Sequence, residues 1–300
     1  MRDFIQATLN AGLQIALALN AGGAKLYAKH SRGAGGDISI GADLLSEQIF
    51  IAQLSAFGNI DSEEAGFVDN KKAHTIIIDP LDGSDNFLSQ IPYYGASVAL
   101  RANGVESFAD SSVDSGAKIA ESRAESSVDS ANIGIIMNFC NLSAVVSFEG
   151  KNYYGNLAQD FSTFIESRAE STIESRIKTT DSNAESRIKI ADSVTESMAD
   201  STIDSTNQPK CGIFEGAYRN PHICEILHKN NIKFRSLGAL ALSLGLSERV
   251  KFVLFDGKKR HYDFEAGFLV AQNLHKIEGQ NLVLISKDKI LFDKISNLLF

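Results

Sequence analysis

Apolar residues along this chain recur with two periods, and the alternation between those periods lays out the elements. The opening segment carries apolar residues at helical spacing, interrupted by Gln6, Asn10 and Gln14. A hairpin and a second helix, running to Glu47, follow. Three consecutive β-branched residues, Ile76 to Ile78, predict a buried strand. That strand is expected to stop at Asp79-Pro80, because proline lacks a backbone donor and does not extend a central strand. Further strands are predicted over Tyr94–Arg101, Ile133–Phe139, Ala144–Phe148, Gly212–Phe214, Phe252–Phe255 and Leu282–Ile285. Helices are predicted over Pro221–His228, Leu237–Leu246 and Asp263–Gln272, with one more closing the chain. Strands and helices in alternation predict an α/β fold with mixed sheets.

Two stretches break the pattern. Residues 106–131 and 166–206 are dominated by Glu-Ser and Asp-Ser pairs, such as Glu121-Ser122, Glu170-Ser171 and Glu174-Ser175. The pairs recur every four and seven residues, spacings that return to one side of an α-helix. Ser, Thr and Asp are mediocre helix formers, and low-complexity polar composition favours disorder over a packed element. Both stretches are therefore read as inserts within a single domain spanning residues 1–300. An acidic interaction arm is the functional alternative for them.

The inserts change how the charge is read. The chain of 300 residues has a net charge of −8 and a hydrophobic share of 44%. Acids outnumber bases by 6 to 2 in the first insert and by 9 to 5 in the second, which accounts for the whole net charge. The remainder is neutral and offers no basic field for a nucleic-acid polymer or an anionic membrane. Cys140, Cys211 and Cys224 lack C-x-x-C spacing, which fits a reducing cytoplasm and no zinc site. The first helix lacks the uninterrupted apolar run of a signal peptide or membrane span.

The chemistry concentrates in the run His74 to Phe87, which reads His-Thr-Ile-Ile-Ile-Asp-Pro-Leu-Asp-Gly-Ser-Asp-Asn-Phe. Asp79 and Asp82 stand at the C-terminal end of a strand, where α/β proteins place their sites. Gly83 and Ser84 have the makings of a helix start, whose free N–H groups favour an anion. Adjacent carboxylates favour a hard divalent cation. An anion site beside a cation site points to phosphate chemistry with Mg²⁺. Such a centre needs more carboxylates than two. Glu63 and Glu64, on a predicted loop, and Asp263, at a helix start, are the candidates, although solvated loop acids and helix caps look the same.

These elements resemble the inositol monophosphatase superfamily, the Mg²⁺-dependent, lithium-sensitive phosphatases that include fructose-1,6-bisphosphatases and 3′-phosphonucleotide phosphatases. The signature D-P-φ-D-G-[ST]-x-N-F appears as Asp79 to Phe87, and the upstream acidic element as Ser62-Glu63-Glu64. A D-x-x-x-E helix element appears as Asp43 to Glu47, and the R-x-x-G-[ST]-A-A-L element, loosely, as Arg235 to Leu242. The W-D-x-A-A-G element appears as Tyr262 to Gly267, with Tyr for Trp and Glu265 for a small residue.

The resemblance implies a layered α-β-α-β-α sandwich, often a homodimer, and two or three Mg²⁺ ions. Glu63, Asp79 and the carbonyl of Leu81 would hold one ion, and Asp79, Asp82 and Asp263 a second. Glu63 would position the attacking water, and Ser84 with Asp43 would orient and deprotonate it. Gly83, Ser84, Gly238, Ala239 and Asp256 would meet the substrate, a small hydroxylated phosphate. Inositol phosphate is the leading substrate class, with fructose 1,6-bisphosphate and a 3′-phosphonucleotide as alternatives. A non-catalytic interaction protein on the same scaffold, using its acidic repeats, is the opposing reading. Asp85 stands beside the expected phosphate site, where a carboxylate pointing inward would repel the anion.

Overall fold

Two main sheets, a small two-stranded sheet and eight α-helices carry residues 1–102, 132–168 and 209–300, the described part of this computed structural model. The amino-terminal part runs α1 (Arg2–Ala21), β1 (Lys29–Arg32), β2 (Ile38–Ile40), α2 (Gly41–Leu54), β3 (Asn59–Ser62), β4 (Gly66–Val68), β5 (His74–Asp82), α3 (Ser84–Leu88) and β6 (Gly95–Ala102). From residue 132 onward come β7 (Ile133–Asn138), β8 (Ser143–Phe148), β9 (Lys151–Asn156) and a helix α4 over 161–168. The rest comprises β10 (Gly212–Glu215), α5 (Pro221–Lys229), β11 (Phe234–Arg235), α6 (Leu240–Gly245), β12 (Val253–Asp256), α7 (His261–Val270), β13 (His275–Glu278), β14 (Leu282–Ser286) and α8 (Lys289–Leu299).

The larger sheet has the order β4-β3-β5-β6-β7-β8-β9, in which β3 and β5 are parallel and every other pair antiparallel. The smaller has the order β11-β10-β12-β14-β13, with β10 parallel to both its neighbours. Alternation along the strands divides the core into layers. Ile76 and Ile78 pack with Val98, Leu100, Ile135 and Met137 against Phe4, Leu9 and Phe50 of α1 and α2. The intervening Ile77, Ala99 and Ile136 pack on the opposite face, against Leu242, Ala266 and Leu269 of α6 and α7.

Helices α6 and α7 turn their other sides, through Leu244, Phe264 and Phe268, to Val253, Phe255 and Ile285 of the smaller sheet. That sheet's far face, Phe214, Leu254 and Leu284, is covered by Ile223 and Leu227 of α5 and by Phe292 and Ile295 of α8. The sequence of layers is therefore α-β-α-β-α, as expected. Helix α7 is buried along nearly its whole length because it lies between two sheets, and so it shows no polar face.

Several local expectations are corrected. The chain does not turn at Pro80: β5 continues to Asp82 with a register shift between Asp79 and Asp82. Its parallel partner β3 ends at the pair Ser62–Ile78, so Pro80 has no ladder bond to make on that side, and a bulge accommodates it. The acids at Glu63-Glu64 follow a strand, β3, that its polar sequence Asn-Ile-Asp-Ser concealed. Strands β9 and β13, with similarly polar sequences, were not anticipated either. Helix α2 runs on to Leu54, since Phe50 and Leu54 continue its buried side. Helix α6 starts only at Leu240, because Gly238 adopts φ +81° and cannot lie in a helix.

The first three residues of the predicted second insert, 166–168, lie in α4. Arg168 donates from Nη1 to the carbonyl of Asn152, and its guanidinium lies over the Tyr153 ring. The expectations for 106–131 and for 169–206 lie outside the described residues. Among the described residues, no helix is long and apolar enough to cross a membrane.

Candidate active site

Register alone brings the first two carboxylates together. Ser62 of β3 pairs in parallel with Ile78 of β5, so the next residue on each strand, Glu63 and Asp79, are also neighbours. The N–H of Glu63 donates to the carbonyl of Ile78 at 3.1 Å, which extends the pairing one step. Asp79 shares its sheet face with Ile77, two residues earlier, and so points toward the middle helical layer. Across the antiparallel ladder, Ser97 stands opposite Asp79, and its hydroxyl donates to the Tyr262 carbonyl at 2.8 Å. That bond fixes the first turn of α7 over the strand end and delivers Asp263. Glu63, Asp79 and Asp263 each offer a carboxylate oxygen within 4.8 Å of the other two.

Asp82 is buried beside this group, but its Oδ2 accepts the Leu242 N–H at 2.8 Å and is thereby tied to the start of α6. Of the two ligand sets expected from the sequence, the tightest grouping takes members from both. A cavity of about 80 Å³ opens at this point, lined by Glu63, Asp79, Leu81, Asp82, Gly83 and Ser84 and also by Asp37, Asp43, Glu64 and Arg260.

Burial and mutual repulsion leave these acids short of positive charge. Burial foremost, then neighbouring acids, raises Asp79 well above the usual carboxylate range. Asp82 rises to about 8, through burial and the charge of Asp263. Glu63 rises to about 7, where burial outweighs the opposing pull of Arg260. Asp263 is also raised by burial, against the attraction of Arg260. Asp43, on α2, rises to about 7 by burial, although its Oδ2 accepts the Ile40 N–H at 2.6 Å and Ser84 also hydrogen-bonds it. A tight set of buried oxygen donors with excess negative charge suits a hard divalent cation.

Gly83 makes the entry to α3 possible: its φ of 88° is a left-handed conformation that lets β5 turn at once into the helix. The Ser84 hydroxyl donates to the Leu81 carbonyl at 3.1 Å. Asn86 of the same motif reaches across to the smaller half, donating to the carbonyls of Tyr93 and Leu237 at 2.7 and 2.8 Å. Gly238 and Ala239 lie directly against this turn. A Cβ on Gly238 would stand 3.1 Å from Asn86, and one on Gly83 would stand 3.1 Å from Ala239. Asp256, at the end of β12, does not line the cavity. Asp85 is exposed and does not line the cavity.

Four residues with a part in this arrangement were not singled out from the sequence. Arg260 donates to Glu63 at 2.5 Å, to Asp263 at 3.0 Å and to Asp37 at 2.8 Å. Asp37 ends a glycine-rich loop that lies on the acidic strand end: the N–H of Gly35 donates to the Glu63 carbonyl at 2.7 Å. A side chain at Gly35 would strike Glu63, whose Cγ would be 2.5 Å away. Asp61 accepts from the Tyr262 hydroxyl at 3.2 Å and lies 2.9 Å from His261 Nε2, bracing the start of α7 from β3. Buried Glu215 holds the turn before α6 by accepting from Gly238 N–H at 3.0 Å and the Ser243 hydroxyl at 2.6 Å. Arg260 had a sequence signal, lying one helical turn before Asp263. Asp37 had one as well, since it closes the Gly-rich run from Gly33, while Asp61 and Glu215 had none.

Comparison with known proteins agrees with this architecture. Residues 4–109 match the family model described as Inositol monophosphatase family. A fructose-1,6-bisphosphatase of Pyrococcus furiosus is 41% identical over 66 residues, 22% of this chain and 26% of that protein. An inositol-1-monophosphatase of Caulobacter vibrioides is 37% identical over 73 residues, 23% of this chain and 28% of that protein. The matched stretch thus spans about a quarter of the length of these curated relatives. The crystal structure of extragenic suppressor protein suhB from Bartonella henselae superposes over 98% of this chain and 97% of its own, at a TM-score of 0.61 and 17% identity, a likeness of fold. Over residues 4–109 the chain is thus similar in sequence to the inositol monophosphatase family, and its fold is that of the solved structure just named.

Proposed function

We propose that this protein hydrolyses a phosphate monoester of a small hydroxylated metabolite, using Mg²⁺ held by Glu63, Asp79, Asp82, Asp263 and the Leu81 carbonyl. The observation that carries the reading is the convergence of Glu63, Asp79 and Asp263, from three separate elements, within 4.8 Å. The all-oxygen donor set fits Mg²⁺, and two or three ions would balance the acids present. When bound, such ions lower the pKa of coordinated water and neutralise charge on the phosphate and the departing alkoxide.

The protein's own groups supply the remainder. Asp43, with a pKa of about 7, is poised to take a proton near neutral pH through the adjacent Ser84 hydroxyl. Glu63 positions the attacking water at the cavity edge. Backbone N–H groups of Gly83 and Ser84 face the phosphate oxygens at the start of α3. Gly238 and Ala239 wall the substrate, and Asp256 accepts from a substrate hydroxyl farther out. The working form is a single domain, with a homodimer as the expected assembly.

The relatives named above are a fructose-1,6-bisphosphatase and an inositol-1-monophosphatase, so both esters belong in the test. Purified full-length protein is assayed for phosphate release from inositol phosphate, fructose 1,6-bisphosphate and a 3′-phosphonucleotide, with Mg²⁺ or with chelator. Release that requires Mg²⁺ and is inhibited by Li⁺ is expected. No release from any of them in Mg²⁺ would leave the scaffold without this activity and return weight to an interaction role.

A further inference from the structure

We propose that Arg260 is an internal counter-cation that stands in for a metal ion in the metal-free protein and thereby sets how tightly the ion binds. The inference rests on the metal-site reading above. The guanidinium has a two-sided hold on the ligand cluster. Nη1 donates to Glu63 Oε1 at 2.5 Å, while Nε and Nη2 donate to the two oxygens of Asp263 at 3.0 and 3.4 Å. Two of the three converging carboxylates are therefore already occupied by one positive group. Arginine suits this position because its planar fork meets carboxylates in fixed directions and stays charged in a half-buried site.

An ion bound between the same oxygens would sit only a few ångströms from the guanidinium, and two like charges at that range in a partly buried pocket repel strongly. Arg260 must then give up Glu63 and Asp263 as the ion enters. The structure supplies a place for it to go. The same Nη1 lies 2.8 Å from Asp37 Oδ2, and the Asp37 side chain is 81% exposed, on the glycine-rich loop beside the cavity. A guanidinium drawn outward to Asp37 would leave the carboxylates to the ion and remain at the mouth. Arg260 thus makes the metal-free site tolerable and makes filling it harder.

The test measures Mg²⁺ binding by calorimetry to metal-free full-length protein at pH 8, together with the melting temperature without metal, for the native protein, Arg260→Gln and Arg260→Lys. Arg260→Gln is expected to bind Mg²⁺ about tenfold more tightly or better, the effect of removing one adjacent positive charge. Its metal-free form should melt below the native protein, with Mg²⁺ restoring the difference. Arg260→Lys keeps the charge without the fork and should fall between the two. It also preserves the measurement if Arg260→Gln does not fold without metal. Equal or weaker Mg²⁺ binding by Arg260→Gln, with the native protein binding normally, would overturn the counter-cation role and leave the metal site standing. Absence of Mg²⁺ binding by native protein and variants alike would remove the metal site and this inference with it.

Discussion

Two buried charge assemblies lie at the two ends of one contact surface, between the larger sheet and α7, and they are built on opposite principles. Toward the middle of α7, Arg101 of β6 donates from Nε and Nη2 to Glu265 Oε2 at 2.9 and 2.6 Å. The side chains are 6% and 0% exposed, a cation set against an anion. At the start of the same helix, Arg260 faces Glu63, Asp263 and Asp37, with Asp79 and Asp82 close behind. The first assembly is balanced by its own residues and holds two elements in register. The second is short of positive charge in a water-accessible cavity, where a further cation would complete it. Deficit, more than burial, distinguishes a site from a structural ion pair. The contrast also explains Glu265, which replaces the small residue of the family pattern: it answers Arg101.

The sharpest way to break the comparison is to reduce the deficit directly. Asp79→Asn is expected to lower phosphatase activity by orders of magnitude while raising the metal-free melting temperature, because a mutually repelling carboxylate is gone. A metal-free variant that unfolds instead would show Asp79 to be structural. Breaking the balanced pair should do the reverse. Arg101→Met leaves Glu265 buried without its guanidinium and should cost about 3–5 kcal/mol in denaturant unfolding, with Mg²⁺ affinity unchanged. A shifted Mg²⁺ affinity there would mean that the two assemblies are coupled through α7.

A difference in pH dependence should follow. Asp43 and Glu63 are raised to about 7 and Asp82 to about 8, chiefly by burial. A folded-state value above the unfolded one means that these groups stabilise the fold while protonated. Their contribution is full below about pH 4, the unfolded range, and is lost as pH rises through about 7 to 8. The metal-free melting temperature should therefore fall between pH 5 and pH 8, and saturating Mg²⁺, which prefers the deprotonated acids, should flatten or reverse the slope. A metal-free protein with a flat profile would refute the charge deficit.

The smallest effect is expected from the two inserts. Replacing residues 106–131 and 169–206 with short Gly/Ser linkers should keep kcat within a few-fold, since neither stretch carries a motif element. Residues 166–168 are kept because they lie in α4, with Arg168 held by Asn152 and Tyr153. A folded variant without activity on a substrate the native chain accepts would make the inserts part of the site.

What the sequence determined by itself is local and sharply patterned. Three β-branched residues ending in Asp-Pro-Leu-Asp-Gly announce a buried strand, a pair of acids and a turn, because each residue type there has few backbone alternatives. Alternating strands and helices gave the fold class by the same logic. The polar strands β3, β9 and β13 escaped it, since short strands with few apolar residues hydrogen-bond as well as rich ones but leave no periodic trace. Nor does any sequence rule allow β5 to pass through Pro80; that depends on β3 ending at Ser62 and leaving the proline no partner to satisfy.

Tertiary structure alone decided which acids meet and which cation answers them. Asp263 lies 184 positions after Asp79. Only the packing of α7 on the larger sheet, pinned by Ser97 and braced by Asp61, joins them. The same packing put Arg260 among the ligands and Arg101 beside Glu265, pairings between residues remote in the chain. Electrostatic energy depends on distance through space and on exclusion of water, and a sequence fixes neither until its layers have closed.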